Sequence, residues 1–218
     1  MWGAIPGAKA FRLEWGSMTE EQEIKIPVAA DFVLPDLDAV VPGTRAVDRG
    51  LLELSATYWD TDQLTLLGAQ LGLRHRSASG ETGRWTLKAG ARHVGLAVSR
   101  EETDFAGPPD QPPEEALAMI RESVGDVTLR PVASLVTIRH TVDLVAGDIR
   151  CAEVADDLVS VRLEERTIQT FREVEVELYD ADAALIDAVM ATLHGAGAGE
   201  PDSTPKYVRA LRALGHEV

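Results

Sequence analysis

The sequence predicts a mostly antiparallel α+β protein whose strands form either a meander or a closed barrel. Most of the 218 residues fall into segments rich in β-branched, aromatic and alternating apolar residues, which is typical of strands. Short turn-like stretches separate most of these segments, and short connections join antiparallel neighbours. Helical periodicity is confined to a few segments, which disfavours the alternating strand–helix order of a parallel fold.

The predicted strands follow one another through most of the chain. The segment "QEIKIPV" (22–28) comes first, and "RGLLELSATYWDT" (49–61) is rich in apolar, β-branched and aromatic residues. The segments "LGLRHR" (71–76) and "RWTLKAG" (84–90) flank a Ser/Gly-rich turn and predict a hairpin. The remaining predicted strands are residues 94–105, 133–145, 148–157, 158–165 and 167–178.

Two short segments between the early strands have helical or turn character. Residues 34–43 predict a helix that begins near Asp36 and ends at the Pro42–Gly43 pair. Residues 62–70 predict a short helix or a turn.

Helices are also predicted in the second half of the chain. One follows a Pro-rich loop, with Pro113 at its first position and Gly125 after its end. Residues 180–195 form an amphipathic helix, whose apolar stripe of Leu185, Ile186 and Val189 predicts core packing. The segment "PKYVRALRALG" closes the chain.

Composition and charge disfavour several classes of function. The chain has 36 acidic and 21 basic residues, a formal net charge of −15. Proteins that bind nucleic acid or anionic membranes are usually basic, so we expect neither partner. No apolar run approaches the roughly 20 residues of a membrane span. Cys151 is the only cysteine, which excludes an internal disulfide and makes a reducing cytoplasm the expected location.

The first 17 residues differ in character from the rest. Their apolar stretch is short and broken by Gly and Pro, unlike a secretory signal. Met18 follows a Gly-Ser pair, and the alternating charged pattern begins just after it. We therefore expect residues 1–17 to be an added tag or the result of a mis-assigned start, and residues 18–218 to form a single domain.

Charged residues recur at every second position in several predicted strands, so they share one face of each strand. The first and last long strands carry mostly acids in this pattern, and the middle strands mostly bases. The residues are Glu21, Glu23 and Lys25, then Arg74, Arg76, Arg84, Lys88, Arg100, Glu102 and Arg139, and finally Glu173, Glu175 and Glu177. Two interpretations remain: a solvated outer face, or a polar barrel interior that brings acids and bases together.

A polar interior of this kind suits a particular class of ligand. Carboxylate oxygens bind hard cations such as Mg²⁺, and arginine forks and lysines bind phosphate. A complex of a metal with a polyphosphate needs both groups at once. Other chemistries lack support: the five histidines have no zinc-ligand spacing, neither Ser134 nor Ser160 lies in a nucleophile elbow, and no P-loop motif occurs.

The motif "EQEIK" (21–25) resembles the E-x-E-x-K signature of the CYTH superfamily, the triphosphate tunnel metalloenzymes. The resemblance extends from about Glu21 to Leu214, because further segments follow in the order typical of this family. They are "YWDT", "LGLRHR", "WTLK", "SREE", "LRPVASLVTIR", "AEVADD", "REVEVEL" and "STPKYVRAL". The resemblance implies a closed tunnel of about eight antiparallel strands, with a polar interior and peripheral helices.

The resemblance also implies the site residues. Metal ligands would be Glu21, Glu23, Asp157, Glu175 and Glu177, with Asp156 as the alternative to Asp157. Phosphate-binding residues would be Lys25, Arg74, Arg76, Lys88, Arg100, Arg139 and Lys206, of which Lys25, Arg76 and Lys88 are the expected catalytic residues. Arg130 is a further candidate, with an exposed strand end as its alternative interpretation, and Lys206 has the alternative of an exposed helix start.

The implied activity is that of a Mg²⁺- or Mn²⁺-dependent triphosphatase acting on a small-molecule triphosphate. Thiamine-specific relatives resemble one another in an aromatic residue two positions before the first arginine of R-x-R, where this chain has Gly72. Glycine cannot stack on a thiazolium cation, so we expect inorganic triphosphate or broad triphosphate specificity. The alternatives are a class IV-type adenylate cyclase, a thiamine triphosphatase, and a non-catalytic module that binds polyphosphate or a nucleotide.

Overall fold

A computed structural model describes residues 18–218, and the prediction made for residues 1–17 lies outside these residues. Eight strands and four helices alternate in groups along the chain. The strands are β1 (Met18–Val28), β2 (Thr44–Asp60), β3 (Gly72–Ala78), β4 (Arg84–Val94), β5 (Ala97–Phe105), β6 (Arg130–Ala146), β7 (Ile149–Leu163) and β8 (Arg166–Leu178). The helices are α1 (Thr65–Gly68), α2 (Glu114–Val124), α3 (Ala183–Gly195) and α4 (Lys206–Ala213).

The eight strands close into one antiparallel barrel, in the order β1-β5-β4-β3-β2-β6-β7-β8. Strand β1 completes the closure because its first half pairs with β5 and its second half with β8. Glu21 lies opposite Arg100, and Lys25 lies opposite Glu175. Every strand thus has two neighbours, so the sheet has no free edge. The predicted closed eight-stranded barrel is confirmed.

Much of the apolar core lies outside the barrel, beneath the helices. The outward side chains of β1, β6, β7 and β8 pack against α3, where Leu185 and Val189 are buried and Ile186 is partly buried, as its stripe predicts. The outward side chains of β3, β4 and β5 pack against α2 around Trp85, which is fully buried. Since each buried large side chain contributes about 1.5–3 kcal/mol, these two clusters stabilise the barrel from its outer surface.

Helix α4 packs against the inner face of the barrel, unlike α2 and α3. Its residues Ala210 and Leu211 belong to a third buried cluster, together with Leu135 of β6 and Val161 of β7. These strand residues share the phase of the inward-facing charged residues. Helix α4 therefore fills one end of the barrel, and its first residue, Lys206, is almost completely buried.

The predicted helix over residues 34–43 is wrong, because this segment is a loop with turns. The carboxylate of Asp36 accepts a hydrogen bond from the backbone N–H of Asp38, and that of Asp38 accepts one from Ala46. Ala39 has a φ of +52°, in the left-handed region. Side chains that bind nearby backbone groups compete with helix formation, and a left-handed residue interrupts it.

Other predicted elements occur with small corrections. Residues 148–157 and 158–165 form one strand, β7, because the two aspartates at the junction are paired with arginines on opposite faces, Arg139 inside and Arg172 outside. The helix after the Pro-rich loop begins one residue later than predicted, with Pro113 as its N-cap. The segment 62–70 contains the short helix α1, and the predicted hairpin is formed by β3 and β4.

A buried carboxylate links the end of β2 to α1 and α4. Asp60 is completely buried, and its two oxygens accept hydrogen bonds from the backbone N–H groups of Thr61, Leu66 and Leu67 and from the hydroxyl of Tyr207. The two amides from Leu66 and Leu67 lie near the start of α1, where backbone donors lack helical partners. Asp60 therefore fixes α1 and the first turn of α4 against the barrel.

We expect Asp60→Ala to lower the free energy of unfolding by about 3–5 kcal/mol, because it leaves three buried amides and a hydroxyl without an acceptor. Tyr207→Phe removes one hydrogen bond to a charged group and should cost about 1.5–3 kcal/mol. Urea denaturation measures both. Asp62→Asn, two residues away and exposed, is the control; if Asp60→Ala unfolds with the same midpoint as this control, Asp60 has no such role.

Candidate functional site

The barrel encloses a cavity of about 610 Å³. Of the residues predicted for the metal or the phosphates, all but the alternatives Asp156 and Arg130 line it. The predicted residues that line it are Glu21, Glu23, Lys25, Arg74, Arg76, Lys88, Arg100, Arg139, Asp157, Glu175, Glu177 and Lys206. The structure thus brings them together from β1, β3, β4, β5, β6, β7, β8 and α4. Alternation along each strand directs them inward while their sequence neighbours face the outer clusters.

The structure separates two candidates that the sequence left undecided. Asp157 faces the cavity and is fully buried, whereas Asp156 lies on the outer face and pairs with Arg172. Arg130 is exposed, pairs with Asp62 and does not line the cavity. The inward position thus belongs to Asp157, and Arg130 is an exposed strand end.

Lys206 lies among three carboxylates. Its Nζ atom is 2.9 Å from Asp157 Oδ2, 2.6 Å from Glu173 Oε1 and 2.6 Å from Glu175 Oε1. Burial disfavours the charged amine, yet these carboxylates raise the pKa of Lys206 well above its ordinary value. Lys206 in turn stabilises the anionic form of Glu175. Burial raises the pKa of Glu175, but the positive charges of Lys206, Lys25 and Arg139 hold it well below its ordinary value.

Arg139 connects the carboxylates of β7 and β8. Its Nε and Nη2 atoms bind the two oxygens of Asp157 at 2.8 and 2.7 Å, and Nη2 also lies 2.7 Å from Glu175 Oε2. The fork geometry of a guanidinium suits this bidentate contact. Burial raises the pKa of Asp157, but Lys206 and Arg139 outweigh it and lower the pKa. Both acids are therefore anionic at neutral pH.

Further ion pairs join β1, β4 and β5. Lys88 contacts Glu21 at 2.7 Å and also pairs with Glu102. Arg100 Nη1 lies 2.6 Å from Glu23 Oε1, and Glu23 also pairs with Lys25. Most of the interior charges are thus neutralised by a neighbour, as buried charges require.

Arg74 and Arg76 are exceptions, since neither has a carboxylate within ion-pair distance among residues 18–218. They project from one face of β3 into the cavity. The positive charge of Arg74, burial and the positive charge of Arg139 lower the pKa of Arg76 to about 10. At Arg74, burial lowers the pKa, but the neighbouring Tyr58, Glu102 and Glu21 outweigh it and raise the pKa, so the excess of positive charge lies at Arg76. An anion with several oxygens would relieve it.

Glu177 shows the opposite excess. It has no ion-pair partner in the described part of the chain, and Glu21 and Glu153 are its neighbours in the same cavity. Burial and the negative charges of Glu21 and Glu153 raise the pKa of Glu177 to about 7. Carboxylates that repel one another in this way would be stabilised by a cation.

The carboxylates of the cavity fit a divalent cation by their chemistry. Hard cations bind carboxylate oxygens, and Glu21 and Glu153 lie close enough to Glu177 to raise its pKa. Over residues 18–218, however, no three acidic, histidine or cysteine side chains converge into a ready-made metal site. Lysines and arginines engage several of the acids instead, so metal binding at these residues requires some of the ion pairs to separate.

One wall of the cavity is apolar. Strand β2 directs Leu52, Leu54, Ala56 and Tyr58 inward, and the ring of Tyr58 stacks on that of Tyr207 with centroids 4.9 Å apart. These side chains have no charge to offer a phosphate. This apolar surface lies beside the two arginines of β3, because Tyr58 is paired with Arg74 and Ala56 with Arg76.

Several residues of the cavity were not predicted as site residues. They include Glu102, Glu153, Tyr58 and Tyr207. Glu102 and Glu153 have a usable signal, because each lies at an even spacing from a predicted site residue on its strand. A second signal is the rarity of lysine. The chain has only four, at positions 9, 25, 88 and 206, and all three within the described residues line the cavity.

Comparison with solved structures shows the fold. The putative adenylyl cyclase HpAC1 from Hippeastrum, described as having a dominant triphosphatase activity, aligns with a TM-score of 0.56 and 15% identity over 89% of this chain and 96% of its own. A putative adenylate cyclase from Bacillus halodurans aligns with a TM-score of 0.58 and 16% identity over 88% and 97%. The PH1819 protein from Pyrococcus horikoshii OT3 gives 0.50 and 14% over 88% and 98%.

Sequence comparison identifies the family. No curated protein sequence matches this chain. A family model, the CYTH domain, matches residues 19–208, which span every strand and reach into α4. The match includes all the cavity residues described above. The chain therefore belongs to the CYTH domain family.

Proposed function

We propose that this protein is a divalent-metal-dependent triphosphatase that hydrolyses a terminal phosphoanhydride of inorganic triphosphate or of a range of triphosphates. One observation carries the proposal: a single cavity holds unpaired guanidinium groups at Arg74 and Arg76 and a repelled carboxylate at Glu177. A metal–triphosphate complex supplies the negative and the positive charge that these two regions lack. Members of the CYTH family act on small triphosphates and generally depend on a divalent metal.

The proposed roles follow the distribution of charge. The phosphates are bound by Lys25, Arg74, Arg76, Lys88, Arg100, Arg139 and Lys206, and a Mg²⁺ or Mn²⁺ ion is held by Glu21, Glu23, Asp157, Glu175 and Glu177. When bound, such an ion would supply positive charge that neutralises the phosphoryl oxygens. Because most of these side chains are paired with one another, the phosphate chain takes over cations from the carboxylates as it binds.

The chemical step needs alignment and charge stabilisation more than a protein nucleophile. Water attacks the terminal phosphorus, the bond to the bridging oxygen breaks, and orthophosphate, the shortened phosphate chain and a proton are released. Lys25, Arg76 and Lys88 stabilise the charge on the transferred phosphoryl group and on the leaving oxygen. The surrounding barrel limits water in the cavity, which strengthens each of these contacts.

The apolar wall of β2 favours broad specificity over a site restricted to inorganic triphosphate. Leu52, Leu54 and Ala56 provide a surface along which an organic group can lie while the phosphates meet Arg74 and Arg76. Adenylate cyclase activity would need an adenine pocket in addition, and a binding module would bind triphosphates without turnover.

Phosphate release from inorganic, thiamine and nucleoside triphosphates, measured with Mg²⁺, Mn²⁺ or EDTA, tests the proposal. We expect release that depends on the metal. Binding without release from any substrate would establish the module, and cyclic AMP with pyrophosphate from ATP would establish the cyclase.

Arg76 provides a test of the phosphate role. We expect Arg76→Ala to lower kcat/KM by about 30- to 1000-fold, because a charge-assisted contact in a dry site contributes about 2–4 kcal/mol to the transition state. Arg76→Lys should also lower kcat/KM, since a lysine cannot form the two parallel hydrogen bonds of a guanidinium group. The loss should be similar for inorganic triphosphate and ATP, which share the phosphate chain.

Arg84→Ala is the matched control, because Arg84 lies opposite Arg76 on β4 but is exposed and outside the cavity. Its kcat/KM should stay within about twofold of wild type. An Arg76→Ala variant that resembles this control would remove Arg76 from the site, and a loss confined to ATP would assign Arg76 to the nucleoside.

Glu177 provides a test of the metal site that needs no substrate. Burial and the neighbouring acids raise the pKa of Glu177 to about 7. In EDTA, the folded protein therefore keeps the proton of Glu177 at pH 5 and loses it by pH 8.5. At pH 8.5 the ionised Glu177 destabilises the folded state. Glu177→Gln should therefore raise the unfolding free energy by about 1–2 kcal/mol at pH 8.5 and change it little at pH 5.

At pH 8.5, added Mg²⁺ or Mn²⁺ should make wild type more stable than Glu177→Gln, because the ion stabilises wild type more than the variant. Thermal unfolding measures the three conditions, which are EDTA at pH 5, EDTA at pH 8.5 and metal at pH 8.5, and the exposed Glu165→Gln serves as the control. If the metal stabilises wild type and Glu177→Gln equally, Glu177 is not a metal ligand.

Gly72 provides a test of specificity. It lines the cavity, has an ordinary strand conformation, and a Cβ atom there would meet nothing within 4 Å. We expect Gly72→Trp to fold and to raise kcat/KM for thiamine triphosphate relative to inorganic triphosphate by about 2- to 30-fold, the range of a cation–π contact. Gly72→Leu, which adds bulk without a π face, should leave this ratio of kcat/KM values unchanged. An equal rise of the ratio in both variants would contradict stacking.

A further inference from the structure

Glu173 is a buried carboxylate that does not line the cavity. It shares the inward phase of Glu175 and Glu177 on β8, but it lies deeper, between the sheet and α4, with an exposure of 0%. Its Oε1 atom is 2.6 Å from Lys206 Nζ, and its Oε2 atom is 3.6 Å from Arg209 Nε. Neither oxygen has a well-aligned hydrogen bond within residues 18–218, so these two cations are its close polar partners.

Helix α4 is attached to the barrel by contacts that do not involve Glu173. Ala210 and Leu211 are fully buried in the inner apolar cluster, and the hydroxyl of Tyr207 donates to Asp60. Arg209, the other basic residue close to Glu173, is held separately by Asp202 at 2.7 Å. The fold of α4 thus has other support, and the contact that depends most on Glu173 is the one with Lys206.

Lys206 has two kinds of carboxylate partner. Asp157 and Glu175 line the cavity and are shared with Arg139, so they are the acids that exchange partners when a metal–triphosphate complex enters. Glu173 is outside the cavity, where neither ion nor phosphate reaches it. It can therefore remain with Lys206 throughout.

We infer that Glu173 is a positioning residue, which holds the Lys206 ammonium at the wall of the cavity and keeps it there when the cavity acids turn to other partners. This inference rests on the proposed phosphate role of Lys206. Glu173 touches no reacting atom in this assignment, and it acts only through Lys206.

The rarity of lysine allows a direct measurement that needs neither substrate nor metal. Protein labelled with ¹⁵N at lysine gives side-chain signals from only four residues. An ammonium that is buried among carboxylates exchanges its protons slowly, so we expect a sharp Lys206 signal, assigned by its loss in Lys206→Ala. In Glu173→Gln this signal should broaden or disappear, and in Asp202→Asn, which removes the other partner of Arg209, it should persist.

Kinetics provide the second measurement. With inorganic triphosphate and Mg²⁺ we expect Lys206→Ala to lower kcat/KM by about 30-fold or more and Glu173→Gln by about 10-fold. The double variant should be no worse than Lys206→Ala alone, because a residue that acts only through Lys206 has nothing left to position. Asp202→Asn should match wild type. Glu173→Asp, which keeps the buried charge but withdraws the oxygen, should behave like Glu173→Gln and serves if the latter does not fold.

The outcomes separate the two proposals. A sharp Lys206 signal in both Glu173 variants, or losses that multiply in the double variant, would overturn the positioning role while leaving the triphosphatase intact. Failure of wild type to release phosphate from any triphosphate would overturn the proposed function. In that case the nuclear magnetic resonance comparison alone would decide whether Glu173 fixes Lys206.

Discussion

The neutralisation of charge inside the barrel is the constraint on which the rest of this structure depends. An ion moved into a protein interior costs several kcal/mol unless another charge or a hydrogen bond compensates it. Acids of β1, β7 and β8 therefore have to meet bases of β1, β4, β5, β6 and α4, and the register of the closed sheet achieves this, with Arg139 directly opposite Asp157 and Lys25 opposite Glu175. A shift of one residue in either pair would turn charged side chains outward and apolar ones inward.

The same constraint explains where the apolar core lies. Small barrels are usually filled by their own inward side chains, but here much of the interior is charged and encloses a cavity. Stability must then come from surfaces outside it, which are the clusters beneath α3 and α2 and the plug formed by α4. The division leaves the middle of the barrel free to carry unbalanced charge at Arg76 and Glu177, because the fold does not depend on packing there.

The strands and the inward charges could be predicted because both follow from alternation, which is a local property of the sequence. The loop at 34–43 could not, since its shape depends on Asp38 accepting a hydrogen bond from Ala46 in the next strand. The predicted break within β7 is wrong for a similar reason. Two adjacent aspartates suit a strand only when each is paired with an arginine of a different neighbouring strand. Glu173 has the spacing of a site residue, and only the packing of α4 over it shows that it is withdrawn from the cavity.

The choice between lysine and arginine in this chain follows the same electrostatic logic. The described residues pair acids at the surface with arginine, as in Arg84 with Asp104 and Arg121 with Asp126, and all their lysines lie in the cavity. An ammonium is a point charge that can exchange one oxygen partner for another without a directional requirement, whereas a guanidinium fork holds a fixed pair of oxygens. Lysines such as Lys206, shared among three carboxylates, therefore suit a cavity in which carboxylate partners give way to phosphate oxygens, and the unpaired forks of Arg74 and Arg76 suit the phosphate chain itself.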